Sequence, residues 1–272
     1  MTDKKTTLVS INTSYFLRGI AILMVILSHY FEWGIDSVGN DKMAHFVMAL
    51  GDWGVGIFFF LSGYALWLGY GNKKTDKTYI FKRFKNMYFP YILIATIIAL
   101  INHSIDSPKA VIKLLVGADY WFIAIILIIY VAFYLVGKLP EEYRVLIMTV
   151  FILDMSLWLY INGYQDFWYT ANWAFALGMI VSKYEKKIPF SNKGFSIDIK
   201  DYAFCFLGRI SIYIHVIHSF VYMQIMHISV LENMNWYLKL AIVLAITAVI
   251  AYLIEMLCKF VFKERHNKRE LS

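Results

Sequence analysis

Long apolar runs broken by short polar segments dominate the chain. The runs lie near 15–33, 46–70, 87–101, 119–137, 144–161, 164–182, 203–228 and 236–262. Each approaches the roughly 20 helical residues that cross a hydrocarbon core. Pro90, at the start of the third run, predicts a bend there, because proline has no N–H for the helical ladder. Residues 108–117 read as a short amphipathic or re-entrant piece. The first run is no cleaved signal peptide: it is long, it carries Arg18, and no small-residue cleavage site follows. The longest hydrophilic stretches, 71–86 and 183–201, are too short to fold alone. The pattern predicts an all-α, polytopic transmembrane bundle of about eight spans. It is expected to form one membrane domain over 1–272, with a short cytoplasmic segment at 1–12 and a basic cytoplasmic tail at 263–272.

Composition agrees. Hydrophobic residues make up 60% and charged residues 17%, where a soluble domain carries about 25% charge. Trp33, Trp53, Trp67, Trp121, Trp168 and Trp236 fall where runs end, as an interfacial belt requires. A net charge of +7 raises nucleic acid as a partner, but the basic residues sit in loops between apolar runs and on no single soluble face. They fit a positive-inside bias instead. With the N-terminus inside, 20 Lys and Arg fall in cytoplasmic segments and 4 outside (Lys42, Lys109, Lys113, Lys239), while Arg18 and Arg209 lie in or near spans. That asymmetry predicts N-in, C-in and an even number of crossings. Cys205 and Cys258 lie in or beside apolar runs with no metal-ligand spacing, so neither a metal site nor a structural disulfide is expected.

Chemistry has to come from polar side chains inside the bundle or at its mouths. Arg18 and His29 stand out in the first run. His29 comes eleven positions after Arg18, which on an α-helix is three turns plus about 20°, so they share a face at a spacing of roughly 16 Å. A central Arg costs roughly 2.5–3.5 kcal/mol to insert, and a residue that costly implies a role. The geometry suits a passage that holds an anionic carrier at one end and does proton chemistry further in.

A family resemblance rests on an ordered set of motifs. Arg18, ten residues, then His29 resembles the first-helix signature of the integral-membrane acyltransferase 3 family. Gly54 to Gly63 (GVGIFFFLSG) is similar to its Gly-Val-x-x-Phe-Phe-x-x-Ser-Gly. Lys82 and Arg83 followed by Pro90 resemble its basic loop. Trp121 and Phe122 match its Trp-Phe pair, Leu207 to Ser211 and then His218 its late segment, and Glu255 a Glu of its last helix. The resemblance implies acyl transfer, commonly of acetyl from acetyl-CoA, to a hydroxyl of an envelope glycan or lipid. It further implies a multi-pass protein of the cell membrane, in all expectation a bacterial cytoplasmic membrane, with no permanently bound cofactor.

Acyl transfer to an alcohol needs a base for the hydroxyl proton, and imidazole is suited to that near neutral pH. His29 is the candidate. Glu32, at i+3, is either the acceptor for its other ring N–H or an interfacial carboxylate. Arg18, towards the cytoplasmic end of its helix, suits a coenzyme diphosphate through its planar fork; the alternatives are snorkelling or a salt bridge to Glu255. Arg209 shares that depth and is either a donor-binding group or positive-inside charge. Lys82, Arg83 and Lys85 read first as topology determinants, with Arg83 carried as a donor-binding candidate. Ser211, His215, His218 and Tyr222 form one polar stripe, which lines a substrate channel together with Glu255 or bonds a partner helix. Asp154 is expected to pair with another helix. Gly54, Gly56 and Gly63 are expected to permit close helix packing, and Phe58 to Phe60 to pack against lipid or core.

Two other classes use the same residue types. A proton-coupled carrier also places His, Asp and Glu in its spans, though no paired halves with matching broken helices are evident. A non-catalytic relative could serve as an assembly partner in an envelope-polymer complex.

Overall fold

The computed structural model describes residues 7–34, 42–187, 197–226, 228 and 234–262. The predicted basic tail, residues 1–6 of the N-terminal segment and His227 lie outside them. Eleven α-helices are described: α1 (Ile11–Gly34), α2 (Lys42–Tyr70), α3 (Lys77–Arg83), α4 (Phe89–Ile101), α5 (Pro108–Val116), α6 (Trp121–Val136), α7 (Glu141–Ile161), α8 (Trp173–Tyr184), α9 (Tyr202–Arg209), α10 (Ser211–Met226) and α11 (Trp236–Val261). Among the described residues the only strand-like pairing is one parallel bridge between Val9 and Ile197. Five stretches are long and apolar enough to cross a membrane, or up to seven if each of two bent helix pairs counts as one span.

Three predicted runs differ from the helices that form. The third starts ten residues early. Asp76 caps α3 by accepting from the N–H groups of Thr78 and Tyr79, and a π-helical turn at Phe84–Tyr88 joins α3 to α4 without a break. Pro90, which has no N–H to give, falls in the first turn of α4 directly after the π turn, and Lys77–Ile101 counts as one candidate span. The fourth run forms α6, and the short piece read at 108–117 forms α5, capped by Ser107 and closed by Gly117 at φ 77°. α5 buries no residue and meets α6 at 66°. In the sixth run, Gly163 at φ 72° follows the end of α7, and 164–172 holds only a 3-10 turn at Asp166–Trp168. Helix α8 therefore keeps 12 residues, about 18 Å of rise. The seventh run breaks into α9 and α10 at 77°, with Ile210 fully buried at the corner.

Glycines set the closest helix contacts. A methyl on Gly19 or Gly208 would strike the backbone of Phe204 or Tyr15, so α1 and α9 touch backbone to backbone. Gly63 against Phe175 and Gly178 against Phe60 do the same for α2 and α8. Gly54 meets the Ala21 carbonyl, as expected, but Gly56 has nothing within 4 Å and plays no such part. Phe59 is fully buried and packs edge-on to Phe122.

Hydrogen bonds tie the loops of one end together. Arg144, counted from the sequence as loop charge, is buried and donates to the carbonyls of Tyr70, Gly71, Lys73 and Leu139. It pins the end of α2 to the start of α7. Leu8 N–H donates to Glu185, and the side chains of Ser10 and Asn12 donate to Asp198. The start of α1 is thus fastened to the end of α8 and the approach to α9. The Lys-rich segments around 73–85, 138, 183–187 and 200 all belong to this end. Asp154 stays exposed on α7, with no ion pair among the described residues.

Candidate functional site

At the opposite end of the bundle, His29 on α1 meets His218 on α10. Nδ1 of His29 lies 2.8 Å from Nε2 of His218. The two rings are within 3° of coplanar, with centroids 5.1 Å apart, so they join edge to edge with the lone pair in plane. Nδ1 of His218 points at two carbonyls, 2.8 Å from His215 O and 3.2 Å from Ile214 O. Carbonyls only accept, so this nitrogen carries the proton. Nε2 of His218 is then the acceptor, and Nδ1–H of His29 donates to it. That leaves Nε2 of His29 with a free lone pair. One backbone turn of α10 thus sets the tautomers of both rings.

Trp33 lies flat over this pair, its ring 4.5 Å from His29 at 10° and 5.9 Å from His218 at 12°. Spacing on α1 explains the arrangement: Trp33 at i+4 and Glu32 at i+3 flank His29 on opposite sides. Glu32 is exposed and is not the hydrogen-bond partner of His29; that position belongs to His218.

His29, His218 and Glu32 share a cavity of about 660 Å³. Its other walls come from the first half of α2 (Asp52, Val55), the end of α4 (Asn102), the α5–α6 turn (Asp119 to Phe122) and the irregular stretch at Gln165 to Phe167. The last of these was read from the sequence as span; as loop it forms part of the wall. Ser28 also lines the cavity, but its hydroxyl is committed to the Met48 carbonyl. Asp52, Asp119 and Asp166 were not singled out in the sequence. Their shared signal was position, since each stands at the same end of its run as Glu32.

The polar stripe on α10 divides. His215 and His218 line the cavity. Tyr222 packs against Trp33 and Tyr30 behind it, at 5.5 and 5.6 Å. Ser211 is buried in the first turn of α10, two turns from His218 and away from the cavity.

Towards the Lys-rich end, Arg18 lies within electrostatic reach of Arg83, Tyr130 and Tyr15. The Arg83 guanidinium sits over the Tyr130 ring at 5.4 Å and the Tyr79 ring at 5.9 Å, and its Nε is buried without a partner. Neither arginine has a carboxylate partner among the described residues. Arg209 is different: it pairs with Glu255 at 3.1 Å, and Lys259 holds the same oxygen at 2.9 Å. Arg209 and Glu255 therefore neutralise each other at the packing of α9 on α11, outside both the cavity and the Arg18–Arg83 cluster. No group of three or more metal-ligating side chains is found among the described residues.

The family model for the acyltransferase domain (Acyl_transf_3) matches residues 15–199, well over half of the chain. No curated protein and no solved structure matches it. The chain belongs to the acyltransferase 3 family.

Proposed function

We propose that this membrane acyltransferase moves an acyl group, acetyl from acetyl-CoA in the simplest case, to a hydroxyl of a cell-envelope or exported glycan or lipid. The observation that carries the reading is the His29–His218 pair at the wall of a cavity large enough for a sugar ring. His29 acts as the base through Nε2, and His218 positions it. The acceptor hydroxyl gives its proton to Nε2 as its oxygen attacks the thioester carbonyl. The tetrahedral adduct then expels the coenzyme thiolate, which takes up the proton that His29 holds. The product is an ester and the free thiol. Trp33, stacked over both rings, offers its π face to the imidazolium formed on the way.

Arg18 and Arg83 bind the donor's phosphates. Two guanidiniums close together without a carboxylate repel each other, and an anion removes that cost. Arg209, already neutralised by Glu255, is a weaker claimant. Glu32 belongs to the acceptor side and not to the base.

The same reading orients the chain, with N- and C-termini in the cytoplasm of a bacterial cell. Eight crossings result if α8 serves as a short eighth span beside the seven candidates. The Arg18–Arg83 cluster then faces the cytosolic donor, and the cavity faces the outer leaflet.

Mass spectrometry of envelope glycans and lipids from cells with the gene, without it, and with His29→Ala tests this. Ester-linked acyl groups are expected only with the intact gene. Identical profiles in all three strains, with the variant present in the membrane, would remove the transferase reading and favour a carrier.

A further inference from the structure

We infer that the outer cavity selects its acceptor by charge: it takes a neutral or amine-bearing polyhydroxylated end group and rejects one with a carboxylate or phosphate beside the reacting hydroxyl. The inference rests on the acyl-transfer reading for what the cavity does, but on the cavity alone for what it admits.

Four carboxylates line it, Glu32, Asp52, Asp119 and Asp166, and no Lys or Arg does. They come from four separate elements, so no single polar loop explains them. None is ion-paired among the described residues, and all four are exposed. Glu32 lies within electrostatic reach of Asp52, and Asp52 of Asp166, so the charges act as one field. In a cleft with apolar walls such a field is focused, and it changes the local concentration of a charged ligand by about 10-fold to 1,000-fold.

A second observation points to a bound ligand. His215 is only 9% exposed and lines the cavity, yet its Nδ1 has no hydrogen-bond partner among the described residues. A buried polar atom left unsatisfied is costly, and a ligand hydroxyl or ammonium would satisfy it. The flat faces of Trp33 and Trp121 give a pyranose ring its apolar contact. By the same electrostatics, the donor's diphosphate is kept out of this mouth and left to the arginines at the other end.

The test reads the field directly. Gln165→Cys is made on a Cys205→Ser, Cys258→Ala background and purified in a non-ionic, sugar-free detergent. Its rates with a trimethylammonium and a sulfonate methanethiosulfonate reagent are each normalised to a free thiol. Preference for the cation by about tenfold or more is expected at low ionic strength. It should shrink in salt and in the Asp52→Asn, Asp166→Asn variant. Equal normalised rates overturn the inference, whatever the protein's activity. A second arm offers acetyl-CoA with methyl glucoside, methyl glucosaminide or methyl glucuronide. Transfer to the first two with kcat/KM about tenfold or more above the glucuronide is expected, again from the focused field. A glucuronide that works as well as the glucoside overturns charge selection while acyl transfer stands. Cation-selective labelling with no transfer to any of the three upholds charge selection and counts against the acyl-transfer reading.

Discussion

Replacing His218 by Ala tests the central piece of the chemistry. The substitution removes the only group that accepts from Nδ1–H of His29, at 2.8 Å. In the resting enzyme that bond joins two neutral rings. In the proposed mechanism, as Nε2 of His29 takes the acceptor proton, the ring becomes imidazolium and the same bond becomes charge-assisted, worth roughly 1.5–3 kcal/mol. Only the gain made on the way to the transition state appears in the rate. Taking most of that range as gain, kcat for His218→Ala should fall about 10- to 150-fold. His29→Ala, which loses the base itself, should fall about 10²- to 10⁴-fold. His218→Gln, which keeps an acceptor atom, should recover part of the loss. The double variant should be no slower than His29→Ala alone, because His218 acts only through His29. Thiol release from acetyl-CoA by purified protein, with kcat and KM separated and folding checked by gel filtration, gives all four values. An unaltered kcat in His218→Ala, or losses that multiply in the double variant, would refute the positioning role.

Arg18→Lys and Arg83→Lys keep the charge but lose the fork, and each should raise the KM for acetyl-CoA about tenfold, the equivalent of about 1.4 kcal/mol; unchanged donor KM in both would move the donor site elsewhere. Arg209→Ala should lower the unfolding midpoint by the equivalent of about 1 kcal/mol, since Lys259 still serves Glu255 and Arg209 is 41% exposed, and leave donor KM alone; a rise in that KM without destabilisation would return Arg209 to the donor site. The hydrogen bonds from Ser10 and Asn12, and then Lys200, hold the Asp198 carboxyl below its ordinary range. A depressed folded value means that its contribution is present above the ordinary pKa and is lost as pH falls through the folded one, so the 7–13 segment should loosen only below about pH 4. Hydrogen exchange of that segment at pH 3 and 6 checks this, and Asp198→Asn should abolish the difference. In intact cells an impermeant thiol reagent should label Gln165→Cys and spare Asn72→Cys; the reverse pattern would invert the proposed orientation.

Periodicity and run length made the helices legible, and with them the shared face of Arg18 and His29. Both are properties of one segment. The breaks were less visible. Gly208 looks in sequence like a tolerated small residue inside an apolar run, and only the helix packed beside it decides whether the chain continues. At 203–228 the run turns through 77°, since α9 must lie against α1 where Gly208 meets Tyr15. The ring partner of His29 was not legible at all. Glu32, three residues away, was the nearest acceptor along the chain, whereas the group that binds the ring is 189 residues distant. Arg83 and Arg209 posed the same difficulty. Each is a basic residue near the same end of a span, and what separates them is Glu255, which reaches Arg209 and leaves Arg83 over two tyrosine rings.

Charge, read across helices, has a further consequence for direction. Arg18 lies three turns along α1 from the histidine, within reach of Arg83 and at the end where the lysines gather, and four carboxylates without an ion pair among the described residues line the cavity beside the histidine. On the proposed reading an anionic donor would lower its energy at the first position and raise it at the second, so that its phosphates would stop at Arg18 and Arg83 while only an uncharged thioester arm advances. The free thiol product would carry the same phosphates and meet the same pair, which would favour its return by the route of entry. The ester formed at His29 would carry no phosphate, so the arginines would not hold it and the acidic mouth would not repel it. On that reading, a single helix with a cation at one end and a base near the other, set between fields of opposite sign, would by itself give transfer a direction.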